Sequence, residues 1–170
     1  MKAIILYKSK YGATKQYAEW LSGETGFPVE SCDRFNVSKL RDYDMVILGS
    51  SVYIGKLLIH DWIQKYFHEL KGKQLHLFLV SGTPSDQKEK LLGYIQSSVP
   101  EEIQGEFSIT YLHGKLLLKE LSWLDKLAIK FASKVAEKQN PSERIMLEYN
   151  DVKRENLEPL VNQLKQTVLV

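Results

Sequence analysis

Three short apolar runs, Ala3–Tyr7, Met45–Leu48 and Leu75–Val80, each give way to turn residues and then to a stretch with helical spacing. No other feature constrains the chain as much. The runs are too short for helices and nearly unbroken by polar residues, so they predict strands buried on both faces. After the first, Thr14 is expected to cap a helix carrying Tyr17, Ala18 and Leu21, closed by Gly23. After the second come Ile59, Trp62, Ile63, Tyr66, Phe67 and Leu70, stopped near Gly72. After the third, Ser85 or Asp86 opens a helix with Leu91, Leu92 and Ile95 on one side, ended by Pro100. Val29–Cys32 is a weaker second strand, and Phe107–Leu112, with alternating Phe107, Ile109 and Tyr111, a fifth. Strands and helices in alternation imply right-handed βαβ units and a doubly wound parallel sheet.

Composition sets the scale. A chain of 170 residues, 44% hydrophobic, is expected to form a single domain over 1–170 with one core, and 26% charged residues with only 10 Gly and 5 Pro excludes a disordered chain. A net charge of +2 gives no reason to expect a nucleic-acid partner. One cysteine, Cys32, excludes a disulfide framework and a thiolate zinc site, and favours a reducing compartment. The opening MKAIILYKSK is too short in apolar residues for a signal peptide, and no window is apolar enough to span a bilayer. A cytoplasmic location is expected, with peripheral membrane contact left open. His60, His68, His76 and His113 share no ligand spacing, so no metal site is expected. His113, beside Gly114 at the end of strand five, is expected to border a ligand pocket, whereas Cys32 and Trp62 are expected in the core.

The ends of the strands carry the chemistry. Strand one runs into Ser9, Lys10, Tyr11, Gly12, Ala13 and Thr14, and a helix follows. Two hydroxyls, a glycine free to take positive φ and the open N–H groups of a helix start form a cradle for a phosphate. The hexapeptide is neither GxxxxGK[ST] nor GxGxxG, which disfavours ATP with magnesium and NAD. After strand three stand Gly49, Ser50, Ser51, Val52, Tyr53, Ile54 and Gly55, and after strand four Ser81, Gly82, Thr83 and Pro84. In doubly wound sheets ligands lie at the carboxyl ends of the strands. These loops suit a planar ring held beside its phosphate.

With S-x-Y-G-x-T after strand one, G-S-S-V-Y-I-G after strand three and a basic segment after strand five, the chain resembles the flavodoxin family over nearly its whole length. Within it, the chain is most similar to the menaquinone-dependent, flavodoxin-type protoporphyrinogen oxidases. The resemblance implies a five-stranded sheet in the order 2-1-3-4-5 with FMN as cofactor. It further implies that Ser9, Lys10, Tyr11, Gly12, Ala13 and Thr14 hold the phosphate, while Ser51, Val52, Tyr53, Ile54 and Gly55 with Ser81, Gly82 and Thr83 flank the isoalloxazine. Tyr11 stands where ordinary flavodoxins have Thr, and Tyr53 where the oxidases have Arg.

A five-strand fold needs one helix after its last strand, and this chain predicts two. Segment 114–140 is therefore an insertion, and it holds 6 basic against 3 acidic residues, whereas 1–113 holds 13 of each. A helix over Leu116–Glu137 would gather Lys115, Lys119, Lys126, Lys130 and Lys134 on one side and Leu117, Leu121, Leu124, Ala128, Phe131 and Val135 on the other. Trp123 falls among the lysines, a mixture suited to an anionic membrane surface contacted through 115–134. A short strand Ile145–Tyr149 and a last helix follow, capped by Asn156, with Pro159 in its first turn and Leu157, Leu160, Val161, Leu164 and Val168 inward.

Three functions fit these residues. The first is an FMN oxidoreductase passing electrons from a reduced organic substrate, protoporphyrinogen among them, to a quinone. The others are an electron carrier with no substrate of its own and a soluble NAD(P)H quinone reductase.

Overall fold

The computed structural model describes residues 1–84, 86–129 and 148–168. The chain forms two units, 1–114 with 152–170, and 115–151. The first is built on parallel strands β1 (Ala3–Lys8), β2 (Val29–Ser31), β3 (Met45–Tyr53), β5 (Gln74–Ser81) and β6 (Phe107–His113), in the order β2-β1-β3-β5-β6. A short β4 (Lys56–Leu57) pairs antiparallel with the end of β3. The expected doubly wound α/β sheet is therefore present, in the expected order.

Alternation along the strands explains how both faces are covered. Ile4 and Leu6 of β1, Val46 and Leu48 of β3 and Leu75, Leu77 and Leu79 of β5 pack on one face with Ile63 of helix α2 (His60–Leu70) and Leu91 and Ile95 of α3 (Lys88–Gln96). Ile103 of the short α4 (Glu101–Gln104), Cys32 and Trp62 join that cluster, so both residues expected in the core lie there. The intervening Ile5, Tyr7, Met45, Ile47, Phe78 and Val80 point to the other face. There they meet Tyr17, Ala18 and Leu21 of α1 (Ala13–Thr25) and Leu160 and Leu164 of the last helix, α6 (Glu158–Val168). Strands buried on both sides read as continuous apolar runs for this reason.

Several element ends differ from expectation. Helix α1 passes through Gly23 and stops at Gly26, which takes φ 73° and donates its N–H to the Ser22 carbonyl at 2.8 Å. Thr14 does not cap α1, because Gly12 occupies the N-cap with φ 84°. Strand β3 does not end at Leu48 but continues to Tyr53. Helix α3 begins at Lys88, past Asp86, while Ser85 lies outside the described residues. Asn156 sits inside a 3-10 turn, Arg154–Leu157, and its amide donates to the Tyr17 hydroxyl instead of capping α6; Pro159 does fall in the first turn of α6.

The second unit corrects the single long helix expected from Leu116. Its chain opens with β7 (Lys115–Leu116), antiparallel to β8 (Tyr149–Asn150), then a 3-10 turn, Leu118–Glu120. A Lys115–Glu120 ion pair at 2.8 Å and a hydrogen bond from the Leu118 N–H to the Glu148 carboxylate at 2.8 Å hold this stretch. A helix, α5, starts only at 123, where Ser122 Oγ accepts the Asp125 N–H at 3.2 Å as an N-cap, and its described part ends at 129. Leu121 is buried as expected, but Leu124 and Ala128 are exposed. Trp123 is 72% exposed, Leu124 57% and Leu127 59%, whereas Asp125 is buried. At 100° per residue the three apolar side chains share one side and Asp125 lies opposite, so the helix turns its apolar side to solvent. Lys130, Phe131, Lys134, Val135 and 145–147 of the expected strand lie outside the described residues.

Candidate functional site

Parallel pairing brings the three predicted segments to one edge. Lys8 pairs with Ser50 and Ser51 with Val80, so the residues that follow β1, β3 and β5 emerge side by side at the carboxyl end of the sheet. Ser9 to Thr14 leave β1 and enter α1. Ser51, Val52 and Tyr53 are the last residues of β3 rather than loop, and Ile54 with Gly55 form the two-residue turn into β4. Ser81 ends β5, with Gly82 and Thr83 beyond it.

Within the first segment the Gly12 N–H donates to Ser9 Oγ at 3.1 Å, and Gly12 passes through the left-handed region at φ 84°, which glycine alone adopts without strain. Gly12, as the N-cap, brings no side chain to cap α1. Its first amide groups therefore keep the partial positive charge of a helix start. Beside them Thr14 is fully buried, and its Oγ1 has no hydrogen-bond partner among the described residues. A buried hydroxyl is rarely left unpaired, because its desolvation costs about 1–3 kcal/mol. A helix start at a glycine N-cap and a buried hydroxyl beside it match the acceptor oxygens of a phosphate.

The second segment is strained. Tyr53 pairs with Lys56 across a two-residue turn, and both turn residues have positive φ, 48° at Ile54 and 74° at Gly55. This is the geometry that a tight hairpin requires, and glycine or asparagine usually supplies it. Ile54 is β-branched and 79% exposed, so the turn holds an apolar, strained side chain out at the site's edge. Lys10 bridges the segments. Its ammonium lies 3.8 Å from the centroid of the Tyr53 ring and 5.4 Å from that of Tyr11.

In the third segment the Thr83 N–H donates to Ser81 Oγ at 3.2 Å, and the Thr83 and Tyr94 hydroxyls are 3.3 Å apart. Ser81 pairs with His113, and its carbonyl accepts the Gly114 N–H at 2.9 Å. His113 is thus beside the third segment, with an exposed side chain.

The sequence reading missed the β2 side of the cradle. An open groove of about 480 Å³ lies there between the β1 loop and the turn after β2, lined by Ser9, Lys10, Lys15, Ser31, Asp33 and Arg34 among others. Asp33 pairs with Lys8 at 2.8 Å, and the other charges on the wall are cationic. Lys15 is one residue past the motif and could have been found from it. Arg34 gives no such signal, since only the β1–β2 pairing brings it near. Among the described residues no cluster of His, Cys, Asp or Glu could hold a metal, and no helix is long and apolar enough to cross a membrane.

A parallel sheet in the order β2-β1-β3-β5-β6 with helices on both faces defines an α/β protein of the doubly wound class, in which ligands lie at the carboxyl ends of the strands. Residues 4–143 match the flavodoxin domain family, and the chain belongs to it. Over 131 residues the chain is 29% identical to an uncharacterised protein of Methanocaldococcus jannaschii, MJ0298, covering 74% of this chain and 86% of that one. Among solved structures it is similar to a flavodoxin from the domain Archaea, with 21% identity, a TM-score of 0.45 and coverage of 79% of this chain and 99% of that one. It is also similar to the flavodoxin of Streptococcus pneumoniae TIGR4, with 17% identity, a TM-score of 0.46 and the same coverages. A flavin, typically FMN, is the cofactor the family implies, and the cradle fits its single phosphate.

Proposed function

We propose that this chain is an FMN-dependent oxidoreductase that takes electrons from a reduced organic substrate and passes them to a quinone. Protoporphyrinogen IX is the substrate that the sequence resemblance favours. The observation that carries the FMN reading is Thr14, whose buried hydroxyl, without a partner among the described residues, sits in the first turn of a helix that starts at a left-handed glycine. Ser9 to Thr14 would hold the phosphate through amide and hydroxyl donors. Tyr53 would lie against the ring from one side, with Ser81, Gly82 and Thr83 on the other. The flavin, when bound, supplies the hydride and electron chemistry; the protein orients it and sets its electrostatics.

The quinone arm of the reading is supported by α5. Trp123, Leu124 and Leu127 are exposed together, with exposed Lys119 and Lys126 nearby in sequence. An indole and two leucines beside lysines suit the interface of an anionic bilayer, where a quinone dissolves. We therefore place the protein's working site at the inner face of such a membrane, reached by peripheral contact.

The test is anaerobic. Purified protein is loaded with FMN and offered protoporphyrinogen IX, NADPH and a menaquinone analogue, with and without anionic vesicles. Porphyrinogen-dependent reduction of the quinone, raised by vesicles and lowered by salt, is the expected result. Reduction by NADPH in solution would favour the soluble reductase, and an FMN protein that turns over neither donor would be an electron carrier. Thr14→Ala should weaken FMN binding by about 0.5–2 kcal/mol, measured by quenching of flavin fluorescence. Unchanged affinity would move the phosphate elsewhere.

A further inference from the structure

We propose that the groove on the β2 side of the cradle binds a second phosphoryl group bonded to the first, so that the site takes a flavin dinucleotide as well as FMN. This rests on the flavin reading above, which puts the first phosphate on Ser9–Thr14. Position supports it first. Ser9 and Gly12 belong to the cradle and also line the groove, so a group bonded to the cradle's phosphate on that side enters the groove directly. Tyr7 pairs with Ser31, and the Cys32 N–H donates to the Tyr7 carbonyl at 2.9 Å, which sets the turn after β2 beside the β1 loop. Size supports it next. At about 480 Å³ the groove falls in the range of roughly 300–1,000 Å³ typical of small-molecule sites, room for more than one phosphate.

Charge is the third support. Lys15 stands in the first turn of α1, and Arg34 lines the wall from the turn after β2. That first turn holds no acidic residue, so Lys15 adds its charge to the positive end of the helix, against the dipole. Its ion pair with Glu19, at 3.6 Å between exposed side chains, offsets little of this. An anion in the groove relieves the repulsion. The carboxylate on the described wall, Asp33, is paired with Lys8 at 2.8 Å, and the pair adds no net charge. The Ser9 and Ser31 hydroxyls accept the N–H groups of Gly12 and Asp33, at 3.1 and 3.4 Å, and a hydroxyl that accepts still has its O–H to donate. A tethered phosphate suits this wall better than a free one. Two separate phosphate ions side by side repel each other, whereas a dinucleotide carries both already joined and brings the second at high effective concentration.

The experiment compares oxidised FMN and FAD as ligands of wild type, of Lys15→Gln, of Arg34→Gln and of the double variant. Both side chains are exposed, so the substitutions leave the core intact. Dissociation constants are measured by ultrafiltration, with free flavin read by its absorbance. FMN is the internal control, because its monoester carries about two negative charges near pH 7 and the two diester phosphates of FAD carry about two together. Cations that act on the first phosphate alone, or only through the general field, therefore weaken FMN as much as FAD or more. Wild type should hold both flavins, FAD at least as tightly, and the double variant should lose about tenfold more affinity for FAD than for FMN. Each single variant should show a smaller loss in the same direction. Wild type that prefers FMN, or variants that weaken both flavins alike, would overturn the proposal. Wild type that binds neither flavin would instead overturn the functional reading itself.

Discussion

His76 stands on β5 with its ring buried and its Nδ1 without a hydrogen-bond partner among the described residues. Burial disfavours the imidazolium, so its pKa lies below the 6.5 of an exposed imidazole. As pH falls through that ordinary value, the unfolded chain takes up a proton that the folded chain refuses, and stability falls with it. Thermal unfolding followed from pH 8 to 5.5 should show this loss, and His76→Gln should flatten it; an unchanged slope would assign the loss to other groups. Burial, helped by Asp33, pushes the Cys32 thiol well above its ordinary range. Cys32 should therefore resist a thiol reagent until the protein is unfolded in urea, whereas rapid labelling of the native state would place it at the surface. Gly49 shows where single residues mislead. In the sequence it marks the end of an apolar run, a turn by ordinary reading. In the structure it is the middle of β3, opposite Phe78, and a Cβ there would fall on the Phe78 ring. A glycine needed for close approach is indistinguishable from one needed for a bend until the partner strand is known.

At the scale of elements, the β3–β4 hairpin carries the clearest strain. Its turn asks for positive φ at two residues, and Ile54 supplies one of them at a cost of about 1–3 kcal/mol. The side chain is largely exposed, so little packing offsets that cost. Ile54→Gly should therefore stabilise the protein by about 1 kcal/mol in urea unfolding, after the added chain entropy of glycine is counted. A loss of stability would mean that Ile54 packs in a way its exposure hides. The main strands and α1, α2, α3 and α6 were legible because an apolar run or a 3.6-residue period continued through each. The insertion was not. Lys115 and Leu116 continue a helical pattern on paper, yet they pair as β7 with β8, a contact between residues more than thirty positions apart that no local period encodes. Leu124 and Ala128, grouped on the apolar side of the expected helix, are exposed against the rule that apolar sides are buried, whereas Trp123, set among the lysines, is exposed as that place implies. The cradle was legible as a motif; the groove beside it, made by β2, was not.

At the scale of the molecule, the Tyr17 hydroxyl joins places far apart in sequence. It donates to the His113 carbonyl at 2.8 Å, and accepts from Asn156 Nδ2 at 2.8 Å and from the Lys153 N–H at 3.4 Å. His113 is the last residue of β6 and Lys153 stands just past the second unit, so one oxygen fastens both ends of the main unit where 115–151 departs and returns. Replacing 115–151 by a short Gly/Ser linker should leave cooperative unfolding and FMN binding in place while abolishing any binding to anionic vesicles. Circular dichroism, flavin titration and vesicle sedimentation measure the three. Loss of FMN binding on excision would show that the main unit depends on the insertion. Since the flanks are already held together, lengthening the segment between them adds only about 0.6 kcal/mol of closure entropy for each doubling. A segment joined at two fastened ends can change its length and sequence without pulling on the sheet behind it, and Tyr17 is the latch that keeps those ends together.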